Sequence, residues 1–114
     1  MEITKRNNLK TMDDICGKVQ ELGHTDNIDV AHITITDKST PHLHRKTEEI
    51  YFILKGEGLV TIDDEQQKVE KDDTILIPKN KFHSIDKLSS EPLELLAITS
   101  PGYDPDDVIE KNQK

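Results

Sequence analysis

The sequence predicts an all-β sandwich or barrel, and three observations carry that expectation. Short segments rich in β-branched and aliphatic residues recur at near-regular spacing, Gly, Pro, Asn and Asp punctuate them, and scarcely any stretch keeps the 3.6-residue apolar period of a helix.

From the amino terminus, Thr11-Met12-Asp13-Asp14 reads as a capped helical turn, with a hydroxyl at the N-cap, carboxylates near the positive end of the dipole and Gly17 to end it. Residues 18–22 are too short and mixed to assign. The turn-rich Gly23-His24-Thr25-Asp26-Asn27 leads into a strand over 28–36. Further strands are predicted over 49–55, 59–63, 67–70, 74–77, 82–86 and 93–99, with Gly56 and the pair Asp63-Asp64 marking hairpins. Pro78-Lys79-Asn80-Lys81 is a turn: proline fixes its own φ and cannot donate to a ladder, and asparagine tolerates the left-handed conformation. At the other end, Asp104 as N-cap, Pro105 at the first helical position and two following acids start a short helix through about Lys111. Val108 and Ile109 would pack it on the barrel, and the last few residues are expected to be disordered. With no repeat and no linker, residues 1–114 read as one domain whose barrel spans about 28–100.

Charge and composition exclude several functions. Twenty-three acidic residues against 15 basic ones give a net charge of −8, which argues against a nucleic-acid partner. The longest apolar run, residues 50–54, is far short of the roughly 20 residues of a membrane span. The first eight residues lack the apolar core of a signal peptide, and Cys16 is alone, so no intramolecular disulfide forms. A cytoplasmic location is the expectation.

The chemistry centres on His42, His44, Glu49 and His83. Alternate residues of a strand share a face, so His42 and His44 can reach one ion. Arg45-Lys46-Thr47 is polar enough to turn the chain before Glu49 opens the apolar run Ile50-Tyr51-Phe52-Ile53-Leu54. His83 begins a later strand, and spacing alone leaves its register with the others open. A His-x-His pair by itself is more often a surface pair or a satisfied core group; the set of four makes a metal site the leading reading. His24 and His32 read as a loop residue and a solvated or hydrogen-bonded strand residue.

These positions resemble the cupin family. Its first motif places a glycine five residues before His-x-His, then Glu, then Gly six residues on, and this chain has His42, His44, Glu49 and Gly56 there. Its second motif is matched at Pro78 and His83. Thr36 and Asp72 stand in place of the leading glycines, Asn80 in place of a turn glycine and Lys87 in place of a closing asparagine. Asp and Asn are the commonest non-glycine residues at positive φ; β-branched Thr36 is the least suited to it. The resemblance implies a double-stranded β-helix, or jelly-roll barrel, to which the capping residues at 11–14 and 104–107 add short helical segments at both ends. It also implies one divalent transition metal ion (Fe, Mn, Ni, Co or Zn) held by three His and one Glu, and a homodimer paired through its sheets.

Strand parity puts Tyr51 and Ile53 inward with Glu49, and Ile85 inward with His83. The expected pocket joins the metal to an apolar wall of Tyr51, Ile53, Ile85 and one of Ile75 or Ile77, suited to a small organic ligand. Tyr51 could act as a general acid or merely fill the core. Arg45, Lys46, Lys79 and Lys81 could place positive charge at the mouth and favour an anionic substrate. Phe52 and Leu54 on the outer face suggest a covering partner. The function expected is a metal-dependent enzyme of dioxygenase, isomerase, decarboxylase or lyase type acting on a small polar or anionic molecule; the alternative is a non-catalytic module that binds a sugar or organic acid.

Overall fold

The computed structural model describes residues 1–102 and 104–111. After a single 3-10 turn, Arg6–Asn8, the described chain is a succession of strands: β1 (Met12–Asp14), β2 (Gly17–His24), β3 (Asp29–Ile35), β4 (His42–His44), β5 (Glu48–Lys55) and β6 (Glu57–Ile62). Then follow β7 (Glu65–Glu70), β8 (Thr74–Ile77), β9 (His83–Lys87), β10 (Leu93–Ser100) and β11 (Val108–Glu110). They form two antiparallel sheets, one in the order β1-β2-β3-β10-β5-β8 and the other β11-β4-β9-β6-β7. From β3 onward the chain crosses from one sheet to the other at every connection except the β6–β7 hairpin, so residues far apart in sequence face each other across one interior. The double-stranded β-helix expected from the resemblance is the fold.

The strand pattern follows from period-2 burial. In β5 the buried residues are Glu49, Tyr51 and Ile53; in β10 they are Leu93, Leu95, Ala97 and Thr99. The core is built mainly of branched aliphatics, including Ile33, Ile35, Ile53, Val60, Ile85 and Leu95, with Tyr51 as its one aromatic side chain. Branched side chains suit a pleated surface and lose little rotamer freedom there.

Both terminal expectations are corrected in detail. Thr11-Met12-Asp13-Asp14 is not a helical turn: Met12–Asp14 pairs with β2, and Ile15-Cys16 make the hairpin turn, with the Asp14 carboxylate accepting the Ile15 N–H at 2.6 Å. A turn so short has no helical stability of its own, and the open edge of β2 offers three residues of ladder instead. At the other end Asp104 caps as expected, accepting the Asp106 N–H at 2.9 Å, but the helix is one 3-10 turn, Pro105–Asp107. Val108–Glu110 continues as an edge strand on β4. The expectation for the last few residues falls on 112–114, outside the described residues.

The substitutions for motif glycines have a backbone reason. Asp72 (φ 73°) and Asn80 (φ 65°) both adopt the left-handed region, as does Asp63 (φ 49°) in the β6–β7 hairpin. Thr36 is not among the positive-φ residues. Gly56 is, at φ 87°, and a Cβ there would lie 2.8 Å from the Pro92 carbonyl oxygen and 3.0 Å from Leu93 Cα. Gly56→Ala is therefore expected to lose about 1 to 3 kcal/mol in denaturant unfolding. Gly23→Ala, where an added Cβ meets nothing within 4 Å, should change stability by less than about 1 kcal/mol.

Candidate metal centre

The four residues singled out from the sequence converge. His42 and His44 occupy alternate positions of β4, His83 is the direct cross-strand partner of His42, and Glu49 faces them from β5 of the opposite sheet. All four are buried, and one donor atom from each lies within 4.8 Å of the others. Trans donors about 2.1 Å from a common ion would be roughly 4 Å apart, so little movement would bring the set onto one metal.

Local hydrogen bonds orient the imidazoles. His42 Nδ1 donates to the Thr40 carbonyl at 2.7 Å and His83 Nδ1 to the Lys81 carbonyl at 3.2 Å, in each case two residues back along the chain. Each ring is thereby oriented with Nε2 toward the centre of the cluster, the nitrogen that would meet a metal ion. His44 Nε2 and His83 Nε2 lie 2.9 and 3.2 Å from Glu49 Oε1. The Glu49 carboxylate is thus met by two imidazole nitrogens from the opposite sheet. Three imidazole nitrogens and one carboxylate around a shared point form a donor set that fits a divalent transition metal.

The electrostatics favour the metal-ready protonation state. Burial would push the Glu49 carboxyl up, but the imidazoles of His44 and His83 outweigh it and hold the group down to about 2. Burial, followed by the nearby His83, pushes His42 down to about 4 despite its bond to Thr40. At neutral pH His42 has no proton to displace.

Two supporting residues escaped the sequence reading. Asp107 accepts the backbone N–H of Lys46 (3.0 Å) and of Thr47 (3.2 Å), tying the β4–β5 turn to the chain's far end and so fixing Glu49 relative to His44. Burial opposes its ionisation, yet those backbone donors hold its carboxyl below the usual range. Cys16, read from sequence only as a lone thiol, has Sγ 3.7 Å from His42 Nε2; burial, with Glu49 and Asp14 beside it, pushes the thiol far up and keeps it protonated.

A cavity of about 190 Å³ opens onto His44 and Glu49, walled by Cys16, Val19, Ala31, Ile33, Ala97 and Thr99. The expected apolar wall is therefore displaced. Tyr51, Ile53, Ile75, Ile77 and Ile85 are buried, but as packed core, and none lines this cavity. Tyr51 stands beside His83, ring centroids 6.3 Å apart, and burial followed by Glu49 raises its phenol well above the ordinary value. Arg45, Lys46, Lys79 and Lys81 are exposed and line no part of the cavity; Asp13, Asp14, Glu21 and Asp29 do, which removes the basis for steering an anion into it. His32 is hydrogen-bonded, with Nε2 3.0 Å from Glu94 Oε1 and Nδ1 3.2 Å from Arg6, and His24 is exposed.

The family model described as Cupin domain matches residues 30–99. The uncharacterized protein MJ1618 of Methanocaldococcus jannaschii is 40% identical over 77 residues, 68% of this chain and 62% of its own length. This chain thus spans less than two thirds of that relative. A crystal structure of a protein from Planctomyces limnophilus superposes with a TM-score of 0.83 over 95% of each chain at 23% identity. The oxalate decarboxylase of Lactobacillus farciminis gives 0.79 at 24% identity, over 93% of this chain and 34% of that one. At these identities the solved structures share the fold.

Both shifted groups at the centre are depressed, so the unfolded chain protonates first and acid destabilises the metal-free fold. The contribution of His42 is fully present above about pH 6.5 and lost as pH falls to about 4, a loss of about 3 kcal/mol. That of Glu49 follows between about 4.5 and 2. Guanidinium unfolding of chelator-treated protein at a series of pH values should show stability falling through the first window, and His42→Gln should flatten it there.

Proposed function

The chain belongs to the cupin family, and on that premise we propose that it is a metal-dependent enzyme. His42, His44, Glu49 and His83 hold one divalent transition metal ion, of the Fe, Mn, Ni, Co or Zn group, and the adjoining cavity binds a small polar organic substrate. The observation that carries this reading is the buried His₃Glu cluster, two members of which, His44 and Glu49, line a cavity large enough for a small molecule. When bound, such an ion polarises a substrate oxygen or lowers the pKa of a coordinated water. Four protein ligands leave positions open on a metal that prefers six, the feature separating a catalytic site from a closed structural one.

The chain's own residues supply the rest. The carbonyls of Thr40 and Lys81 hold the imidazoles of His42 and His83 in place, so they need not reorganise as charge develops. Val19, Ala31, Ile33 and Ala97 exclude water from the apolar side of the cavity and strengthen every polar contact in it. Tyr51 is retained as the candidate proton donor for its place beside His83, although it lines no part of the cavity and burial makes its phenol a weaker acid than a free one. The oxalate decarboxylase neighbour supports an enzyme on this fold and leaves the reaction of this chain open among lyase, decarboxylase, isomerase and dioxygenase chemistry.

The same reading includes a homodimer. Val30, Ile98, Ile50 and Leu76 are consecutive cross-strand partners on the outer face of the six-stranded sheet, with Ile50 39% and Leu76 68% exposed. An apolar row of that kind on a wet face favours a second sheet laid over it.

Elemental analysis of the protein as isolated is expected to find close to one transition metal ion per chain, and none in a His42→Ala, His83→Ala variant. Metal-free protein that also refuses added metal would overturn the reading, and oxygen uptake by the iron-loaded form would single out dioxygenase chemistry. Sedimentation should show a dimer at micromolar concentration and a monomer for Ile50→Glu with Leu76→Glu; a monomeric parent would exclude the pairing.

A further inference from the structure

The inward face of the six-stranded sheet is laid out in rows set by register. Glu49, Thr99 and Asp29 are consecutive cross-strand partners on β5, β10 and β3. The next row is Tyr51, Ala97, Ala31 and Glu21, and the one after it Ile53, Leu95, Ile33 and Val19. Large aliphatic side chains fill the last row. Two alanines in the middle row leave the space that becomes the cavity, and the first row, with Glu21, makes its polar wall. Glu49 and Asp29 are two strands apart, roughly 9 to 10 Å. The cavity therefore has a metal end, at His44 and Glu49, and a second polar end at Glu21 and Asp29.

Two polar atoms here lack hydrogen-bond partners among the described residues. Thr99 is only 5% exposed, and its Oγ1 makes no hydrogen bond; Glu21 Oε1 is buried and equally unpartnered. A buried hydroxyl without a partner is unfavourable, and this one lines a cavity where a ligand could satisfy it. Burial first, and Asp29 second, push the Glu21 carboxyl up to about 7, so near neutrality the pair retains a proton and can both give and accept a hydrogen bond. Asp13 and Asp14 add further carboxylates to the wall, and no lysine or arginine lines it.

We propose that Glu21, Asp29 and Thr99 form the recognition end of this cavity, and that its ligand is a small organic molecule whose far end carries a hydrogen-bond donor, a hydroxyl or an ammonium group, and no negative charge. The inference rests on the metal-dependent reading above and adds the substrate class to it. A hydroxyl tail donates to Asp29 or Glu21 while Thr99 completes its hydrogen bonding; an ammonium tail gains from the surrounding carboxylates as well. A carboxylate or phosphate tail would be buried against like charge with no cation to meet it.

The test loads the protein with cobalt(II) and follows its visible spectrum during titration with three probes that share a hydroxamate head for the metal. They are β-alanine hydroxamate, its hydroxyl analogue and succinic acid monohydroxamate, with ammonium, hydroxyl and carboxylate tails in turn. The carboxylate probe is expected to bind at least about tenfold more weakly than the better of the other two. Whichever of those binds more tightly tells an amine substrate from a polyol. The difference should shrink severalfold in Glu21→Gln with Asp29→Asn, and the near-isosteric Thr99→Val, which removes a buried unpaired hydroxyl, should keep the fold while weakening the hydroxyl probe. Equal or tighter binding of the carboxylate probe to the parent, or variants with unaltered preference and an intact cobalt spectrum, would overturn the proposal while leaving the metal site standing. A parent that takes up no cobalt would overturn both, and its featureless spectrum identifies that case.

Discussion

One carboxylate set against three imidazoles across the interior is the constraint on which the rest of the structure depends. Glu49 comes from one sheet and His42, His44 and His83 from the other, so the cluster exists only when both sheets are in register and facing. Burying an ionised carboxylate is strongly unfavourable by itself, and here only the imidazoles compensate it in the metal-free chain. Much of the nearby backbone can be understood as fixing this arrangement. The Asp107 carboxylate clamps the turn between His44 and Glu49, the carbonyls of Thr40 and Lys81 hold two of the rings, and β11 covers the edge of β4, which meets β9 at a single residue pair.

That dependence explains which parts of the molecule could be read from the sequence. The four members of the buried His₃Glu cluster were legible because period-2 alternation and turn chemistry are local: His-x-His must share a face, and Asp72 and Asn80 announce positive φ by residue type. Most of the longer strands were legible for the same reason, with boundaries off by a residue or two; β2 (Gly17–His24) was not, because residues 18–22 are too mixed to show a period. The edge strands were not. Met12–Asp14 and Val108–Glu110 have no pattern of their own and are strands only because β2 and β4 present open ladders to them, a tertiary fact that local propensity cannot contain.

The cavity was misread on the same principle. Parity correctly put Tyr51, Ile53 and Ile85 inside, but whether an inward residue lines a void or fills the core depends on what stands beside it in the neighbouring strands. That Ala97 and Thr99 stand beside Tyr51 and Glu49, and Ala31 and Asp29 beside them, is a matter of register among β5, β10 and β3. Glu21 was harder still, because the ladder between β2 and β3 shifts register between Glu21 and Gly23, and an irregularity of that kind breaks the alternation that parity arguments rely on.

The two sheets thus contribute different chemistry to one interior. The five-stranded sheet supplies the imidazoles, held by short-range hydrogen bonds and therefore rigid. The six-stranded sheet supplies the carboxylates, one at the centre and others along the wall, together with the small side chains that make room between them. Changing an alanine of that wall to a larger residue would remove space without touching a ligand, whereas changing Thr99 or Asp29 would alter what the space prefers to hold. A site divided this way can keep its His₃Glu cluster unchanged while the cavity wall varies, because most residues of each lie on different sheets and the two meet at His44 and Glu49.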